Sequence, residues 1–159
     1  MPEQFSRPYL DSSVYIAAIK GEVERANIAK HILSEAQNGA LQIVGSTFVI
    51  AEVIRAKGAA APLTREQERV IDEYIFHDFI TWIELDVSLA LEARKLARQH
   101  ALKPGDAIHL ASAVRGKADQ LLRWDDGFRL TENETYGLVT VCQPHLTGRP
   151  EPLPGMTPA

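Results

Sequence analysis

Pro8-Tyr9-Leu10-Asp11-Ser12-Ser13-Val14-Tyr15-Ile16 is a short apolar run closed by a carboxylate and followed by two hydroxyl residues and a second apolar run. Pro8 to Leu10 is expected as a strand, and Ser12 or Ser13 then caps a helix beginning at Val14. The same order recurs along the chain. Leu41-Gln42-Ile43-Val44 is an expected strand, and Ser46 or Thr47 caps a helix that carries Glu52. Thr81 to Leu85 is a strand, with Asp86 or Ser88 capping the helix after it. Leu121 to Trp124 is a strand closed by Asp125, and Leu138 to Cys142 is the last. Strands alternating with helices at this spacing predict an α/β fold: a mostly parallel central sheet of about five strands with helices on both faces.

Other helices fill the intervals. From Glu22 to Gln37, the residues Ile28, Ala29, Ile32, Leu33 and Ala36 make one apolar stripe, which Asn38-Gly39 ends. Thr64-Arg65-Glu66-Gln67 has the form of a capping box and opens a helix to about His77. Pro104-Gly105 breaks the chain before Asp106, which is placed in the first turn of the next helix, where the dipole favours a carboxylate. Arg115-Gly116-Lys117 ends that helix.

The 159 residues suit one domain, expected over residues 1–143. Residues 144–159 hold five prolines and no periodicity, and are expected to be extended or disordered. Apolar stretches fall short of a membrane span, Met1 to Arg7 lack the basic-then-apolar layout of a secretory signal, and the lone Cys142 suits a reducing compartment. The expected location is the cytoplasm. Net charge is −4, yet Arg94 to Arg129 carries eight basic residues against four acids. A locally basic rim around an acidic centre suits a polyanionic substrate; a solvated helix face explains Arg94, Lys95 and Arg98 equally well.

Four acids stand out: Asp11, Glu52, Asp106 and Asp125. Asp11 and Asp125 close strands, where an open parallel sheet builds its ligand crevice. Glu52 and Asp106 are charges inside core-like sequence. Each has a structural alternative: Asp11 and Asp106 as helix caps, Asp125 with Asp126-Gly127 as a turn, Glu52 paired with Arg55. A pair of carboxylates at about 4 Å repels by roughly 4 kcal/mol at an effective dielectric near 20, so a cluster needs protons or cations. Oxygen ligation points to Mg²⁺ or Mn²⁺, and no histidine spacing with Cys142 resembles a zinc site. Such a site supports phosphoryl transfer to water.

Taken together, the segments Tyr9-Leu10-Asp11-Ser12-Ser13, Ser46-Thr47-Phe48-Val49-Ile50-Ala51-Glu52-Val53, Gly105-Asp106-Ala107-Ile108-His109-Leu110-Ala111-Ser112-Ala113 and Trp124-Asp125-Asp126-Gly127-Phe128 resemble a PIN-domain ribonuclease of the VapC toxin type. The resemblance runs from about Tyr9 to Cys142. It implies a PIN-like three-layer sandwich and an endoribonuclease dependent on Mg²⁺ or Mn²⁺. It also implies an RNA substrate, a cognate antitoxin protein and a homodimer; the short apolar stretches separately predict no membrane association. By position, Asp11, Glu52, Asp106 and Asp125 become the catalytic metal ligands, Asp125 rather than Asp126 because of its distance from Phe128. Ser12 or Ser13 would orient a carboxylate or water, and Asp126 and Arg123 are grouped with these supporting or substrate-facing residues. Arg123 stands where the family usually has Thr or Ser. Two consequences are open: an altered orientation of the fourth carboxylate, or a phosphate-binding cation at the rim.

His109 lies one turn after Asp106 and can face the site, although a packed helix histidine is the favoured reading. Core packing is likewise favoured over base stacking for Trp82 and Trp124. The competing functional reading is a non-catalytic PIN scaffold that binds RNA or a protein partner. A phosphatase or receiver is set aside, because Ser13 stands where a phosphatase needs a second Asp.

Overall fold

Alternate residues of the central strands are buried on opposite sides of one sheet, so that helices must cover both. The computed structural model describes residues 6–20, 22–55, 59–124 and 135–145. Among these the strands are β1 (Pro8–Leu10), β2 (Ile43–Ser46), β3 (Ile80–Ile83), β4 (Gln120–Leu122), β5 (Thr135–Tyr136) and β6 (Val139–Cys142). Their order across the sheet is β3-β2-β1-β4-β6-β5. The first five in that order run parallel, in registers such as Tyr9↔Val44 and Leu10↔Leu122. The two-residue β5 is the addition to the expected set; it pairs antiparallel with β6.

The helices are α1 (Ser12–Lys20), α2 (Val23–Gln37), α3 (Thr47–Glu52), α4 (Arg65–Ile75), α5 (Val87–His100) and α6 (Pro104–Arg115). Leu10, Ile43, Leu122 and Cys142 face one core with Val14, Ile32, Val49 and Ile71 from α1 to α4. Tyr9, Val44, Leu121 and Val141 face the other with Leu89, Ala93 and Leu110 from α5 and α6. Burial on both sides explains why the strands read as apolar runs and not as alternation.

Element ends follow specific hydrogen bonds. Helix α1 starts at Ser12, earlier than expected, because Val14 N–H donates to the Asp11 carbonyl at 3.0 Å. Strand β3 stops before Leu85, whose N–H turns instead to Thr47 Oγ1 at 3.1 Å. Helix α4 ends at Ile75, whose carbonyl accepts from Trp82 Nε1. The capping box is present: Gln67 N–H donates to Thr64 Oγ1 and Thr64 N–H to Gln67 Oε1. Ser46 and Asp86 cap α3 and α5. Trp124 is buried in the first core and Trp82 packs against it. Among the described residues, no helix is long and apolar enough to cross a membrane.

Helix α5 closes on Ala101, which holds a left-handed φ of 54°. A non-glycine residue there is strained by about 1–2 kcal/mol. Ala101→Gly is therefore expected to raise stability by roughly 0.5–1 kcal/mol after the chain-entropy cost of glycine. A thermal melt checks this, and an unchanged or lower melting temperature would count against the strain.

Candidate metal centre

The strand order reverses direction between β1 and β4, because the chain builds β1, β2 and β3 outward on one side before crossing to β4 on the other. Open α/β sheets bind ligands in the crevice at such a point, beyond the carboxyl ends of the strands. Asp11 occupies that position. Its backbone N–H donates to the Leu122 carbonyl at 3.1 Å and prolongs the β1–β4 pairing by one residue. Its side chain is buried. Oδ1 accepts from the Ser12 N–H at 2.7 Å and the Ser12 hydroxyl at 3.2 Å, and Oδ2 accepts from the Ser13 hydroxyl at 3.3 Å. Ser13 Oγ in turn accepts from Trp124 N–H at 3.4 Å, so one hydroxyl ties Asp11 to the segment leaving β4.

Glu52 comes to the same place from β2. Expected inside a helix, it is instead the last residue of the six-residue α3. Val53 follows with φ −78° and ψ 65°, and Ile54 N–H donates back to the Glu52 carbonyl at 2.8 Å. This is an inverse γ-turn, which ends the helix. A carboxylate at a helix carboxyl end is disfavoured by the dipole, so helix stability does not account for Glu52. Its partner is His109, whose Nε2 lies 2.7 Å from Glu52 Oε1 and 3.3 Å from Asp11 Oδ1.

His109 is buried, on the turn of α6 after Asp106. Its Nδ1 stands 2.7 Å from the Tyr9 hydroxyl, and Phe48 packs against its ring. Burial alone would lower the imidazole pKa. The Glu52 hydrogen bond and the negative charges of Asp11 and Glu52 outweigh it, and the net shift is upward. Burial and the nearby acids push the Tyr9 hydroxyl well above its ordinary value, so it remains a neutral phenol. With its Nε2 proton facing two carboxylates, His109 takes its other hydrogen bond from Tyr9 when neutral and gives one when charged. The packed-histidine expectation is therefore corrected: His109 is buried, but buried facing the acids. The i, i+3 spacing from Asp106 was the available signal, since it puts both residues on one side of the helix.

Oxygens of Asp11 and Glu52 and a ring nitrogen of His109 all lie within 4.8 Å of one another. Two buried or half-buried carboxylates converging on one point are the donor set a divalent cation takes, with Mg²⁺ and Mn²⁺ suited to the oxygens.

The PIN domain family model matches residues 9–133, well over half of the chain. The protein belongs to the PIN-domain family.

Solved structures agree on this PIN fold. A toxin–antitoxin complex from Klebsiella pneumoniae is 22% identical with a TM-score of 0.59, over 87% of this chain and 98% of that one. VapBC2 from Rickettsia felis, bound to a DNA fragment from its promoter, is 16% identical with a TM-score of 0.54, over 86% and 98%. VapC20 from Mycobacterium tuberculosis, a toxin that cleaves the sarcin–ricin loop, is 13% identical with a TM-score of 0.56, over 74% and 89%. No curated protein matches significantly by sequence.

The remaining candidates of this PIN domain fall in two groups. Asp106 is the third residue of α6, with Pro104 at the helix start as its fixed φ favours. Asp106 Oδ1 lies 3.5 Å from Arg123 Nη1. Arg123 is buried, so the cation expected at the rim sits inside. Of the other basic residues in that stretch, Arg115 pairs with Asp86 and Lys95 with Glu92. Asp125 and Asp126 lie outside the described residues, as do residues 146–159 of the proline-rich tail.

Proposed function

We propose that this protein is a divalent-metal-dependent endoribonuclease, the toxin of a toxin–antitoxin pair. The observation that carries the reading is the convergence of Asp11 and Glu52 at the carboxyl edge of the sheet in a PIN-domain chain. Asp11 and Glu52 would hold a Mg²⁺ or Mn²⁺ ion, joined by Asp106 and Asp125 on the family resemblance. When bound, such an ion activates water, orients the phosphate and stabilises its developing charge. In the reaction a water oxygen bonds to phosphorus and the bond to the 3′ oxygen breaks, leaving 5′-phosphate and 3′-hydroxyl ends.

The chain's own residues prepare this site. Ser12 and Ser13 fix the Asp11 carboxylate with a backbone N–H and two hydroxyls, which removes rotamer freedom before any ligand arrives. Tyr9 and Phe48 hold the His109 ring, and His109 holds Glu52. The similar structures described as toxins and toxin–antitoxin complexes support an antitoxin chain as partner, and the resemblance adds a homodimer. Cytoplasmic RNA is the substrate pool this reading proposes.

Purified protein incubated with total cellular RNA is expected to give discrete fragments with Mg²⁺ or Mn²⁺ and none with EDTA. Fragments that persist in EDTA would overturn metal dependence. Absence of cleavage by folded protein under either ion would favour a PIN scaffold that binds RNA or protein without cutting.

A further inference from the structure

We propose that Arg123 is a built-in cation that takes the place of a second divalent ion at Asp106, so that the site binds one metal ion per chain. The inference rests on the metal-dependent reading above and deepens it.

Three observations lead to it. Arg123 is 5% exposed, and its backbone is fixed where β4 meets β6, with Arg123 N–H donating to the Cys142 carbonyl at 3.1 Å. Its Nη1 lies 3.5 Å from Asp106 Oδ1, so the charge is directed at a proposed ligand and away from solvent. Among the described residues, the metal-capable atoms that gather within 4.8 Å are those of Asp11, Glu52 and His109, and Asp106 is not in that group.

The chemistry then separates the carboxylates. Asp11 and Glu52 bring carboxylate oxygens and the His109 ring nitrogen within 4.8 Å of one another. Asp106 faces a guanidinium, which stays protonated in proteins at any working pH. A second divalent ion at Asp106 would have to break this pair or sit beside the full positive charge of the buried Arg123. Two-metal nucleases use the second ion to stabilise charge on the phosphate and leaving oxygen. A fixed guanidinium supplies part of that charge without a coordination sphere, and its planar fork matches phosphate geometry.

The test is a Mn²⁺ titration of the full chain, following the electron paramagnetic resonance signal of free Mn²⁺, with folding checked by circular dichroism. The wild type is expected to bind one Mn²⁺ per chain. Arg123→Ser is expected to bind two, and Arg123→Lys, which keeps the charge, one. Two ions on the wild type, or one on folded Arg123→Ser, would overturn the assignment. Should Arg123→Ser fail to fold, the wild type and Arg123→Lys decide: one ion on each supports the proposal, and two on either overturns it. No Mn²⁺ on the wild type would overturn the metal-dependent reading as well, which separates that failure from failure of the Arg123 assignment alone.

Discussion

Asp11→Asn is expected to slow RNA cleavage by about 10²–10³-fold, the equivalent of removing roughly 3–4 kcal/mol of charge stabilisation from the transition state. The substitution keeps the shape of the side chain and an oxygen able to accept from the Ser12 N–H, whose 2.7 Å contact fixes the rotamer. What it removes is the negative charge. Folding should survive, because a carboxylate held close to Glu52 repels it, and losing one of two like charges relieves the pair. The melting temperature is expected to stay within a few degrees of wild type. Glu52→Gln should behave similarly in cleavage. Single-turnover rates at saturating Mg²⁺, alongside thermal melts, make the comparison. A near-wild-type rate for Asp11→Asn would remove Asp11 from the chemistry and leave it as the residue that starts α1.

Gly116→Ala should cost about 1–3 kcal/mol, the range for forcing a methyl group into a filled core. For a domain of this size that lowers the melting temperature by roughly 3–10 °C. A Cβ on Gly116 would clash with Val44 Cγ1, stand 3.2 Å from the Ser112 carbonyl oxygen and 3.3 Å from Ile83 Cγ1. Two of these cannot retreat cheaply: Val44 is fully buried in β2, and the Ser112 oxygen is helix backbone. The Gly116 carbonyl also accepts from Arg7 Nη2 at 2.9 Å, which pins the same turn from the other side. The strain would push α6 away from the sheet, and α6 carries both Asp106 and His109, so cleavage should fall along with stability. Gly45→Ala makes the contrast. Its Cβ would come within 2.7 Å of the Trp82 ring, but that ring is a half-buried side chain near the sheet edge and can shift. Its loss should be the smaller of the two. Equal melting temperatures for Gly116→Ala and wild type would show that the helix–sheet contact yields more readily than its geometry implies.

Much of the architecture was legible because its signals are local. A short apolar run, then an acid, then hydroxyls marks a strand feeding a helix, and Thr64 with Gln67 marks a helix start, whatever the rest of the chain does. The site was legible in part for the same reason: Asp11 sits at a strand end. Other features depend on contacts distant in sequence. His109 lies among Ile108, Leu110 and Ala111, and only the packing of α6 over β1 brings its ring to Tyr9, 100 residues away. The end of α3 at Glu52 depends on the turn at Val53, which no glycine or proline announces. The burial of Arg123 depends on Asp106 being opposite it. The two-residue β5 is too short to carry a periodicity at all.

The pairing of β1 with β4 bears on synthesis of the chain. Leu10 and Leu122 are register partners, so the first strand, which meets β2 early, waits for more than a hundred later residues before its second neighbour exists. Asp11 gains its backbone anchor on Leu122 at the same moment. A nascent chain emerging from the ribosome therefore carries Asp11 without its Leu122 anchor, and Asp11 and Glu52 without His109, until most of the domain has been translated, several seconds or more at about 5–20 residues per second. Under the proposed function, the site that would cut RNA is thus incomplete while the chain is still attached to the RNA-rich machine that makes it. The strand order that creates the crevice also sets a delay between the birth of the chain and its activity.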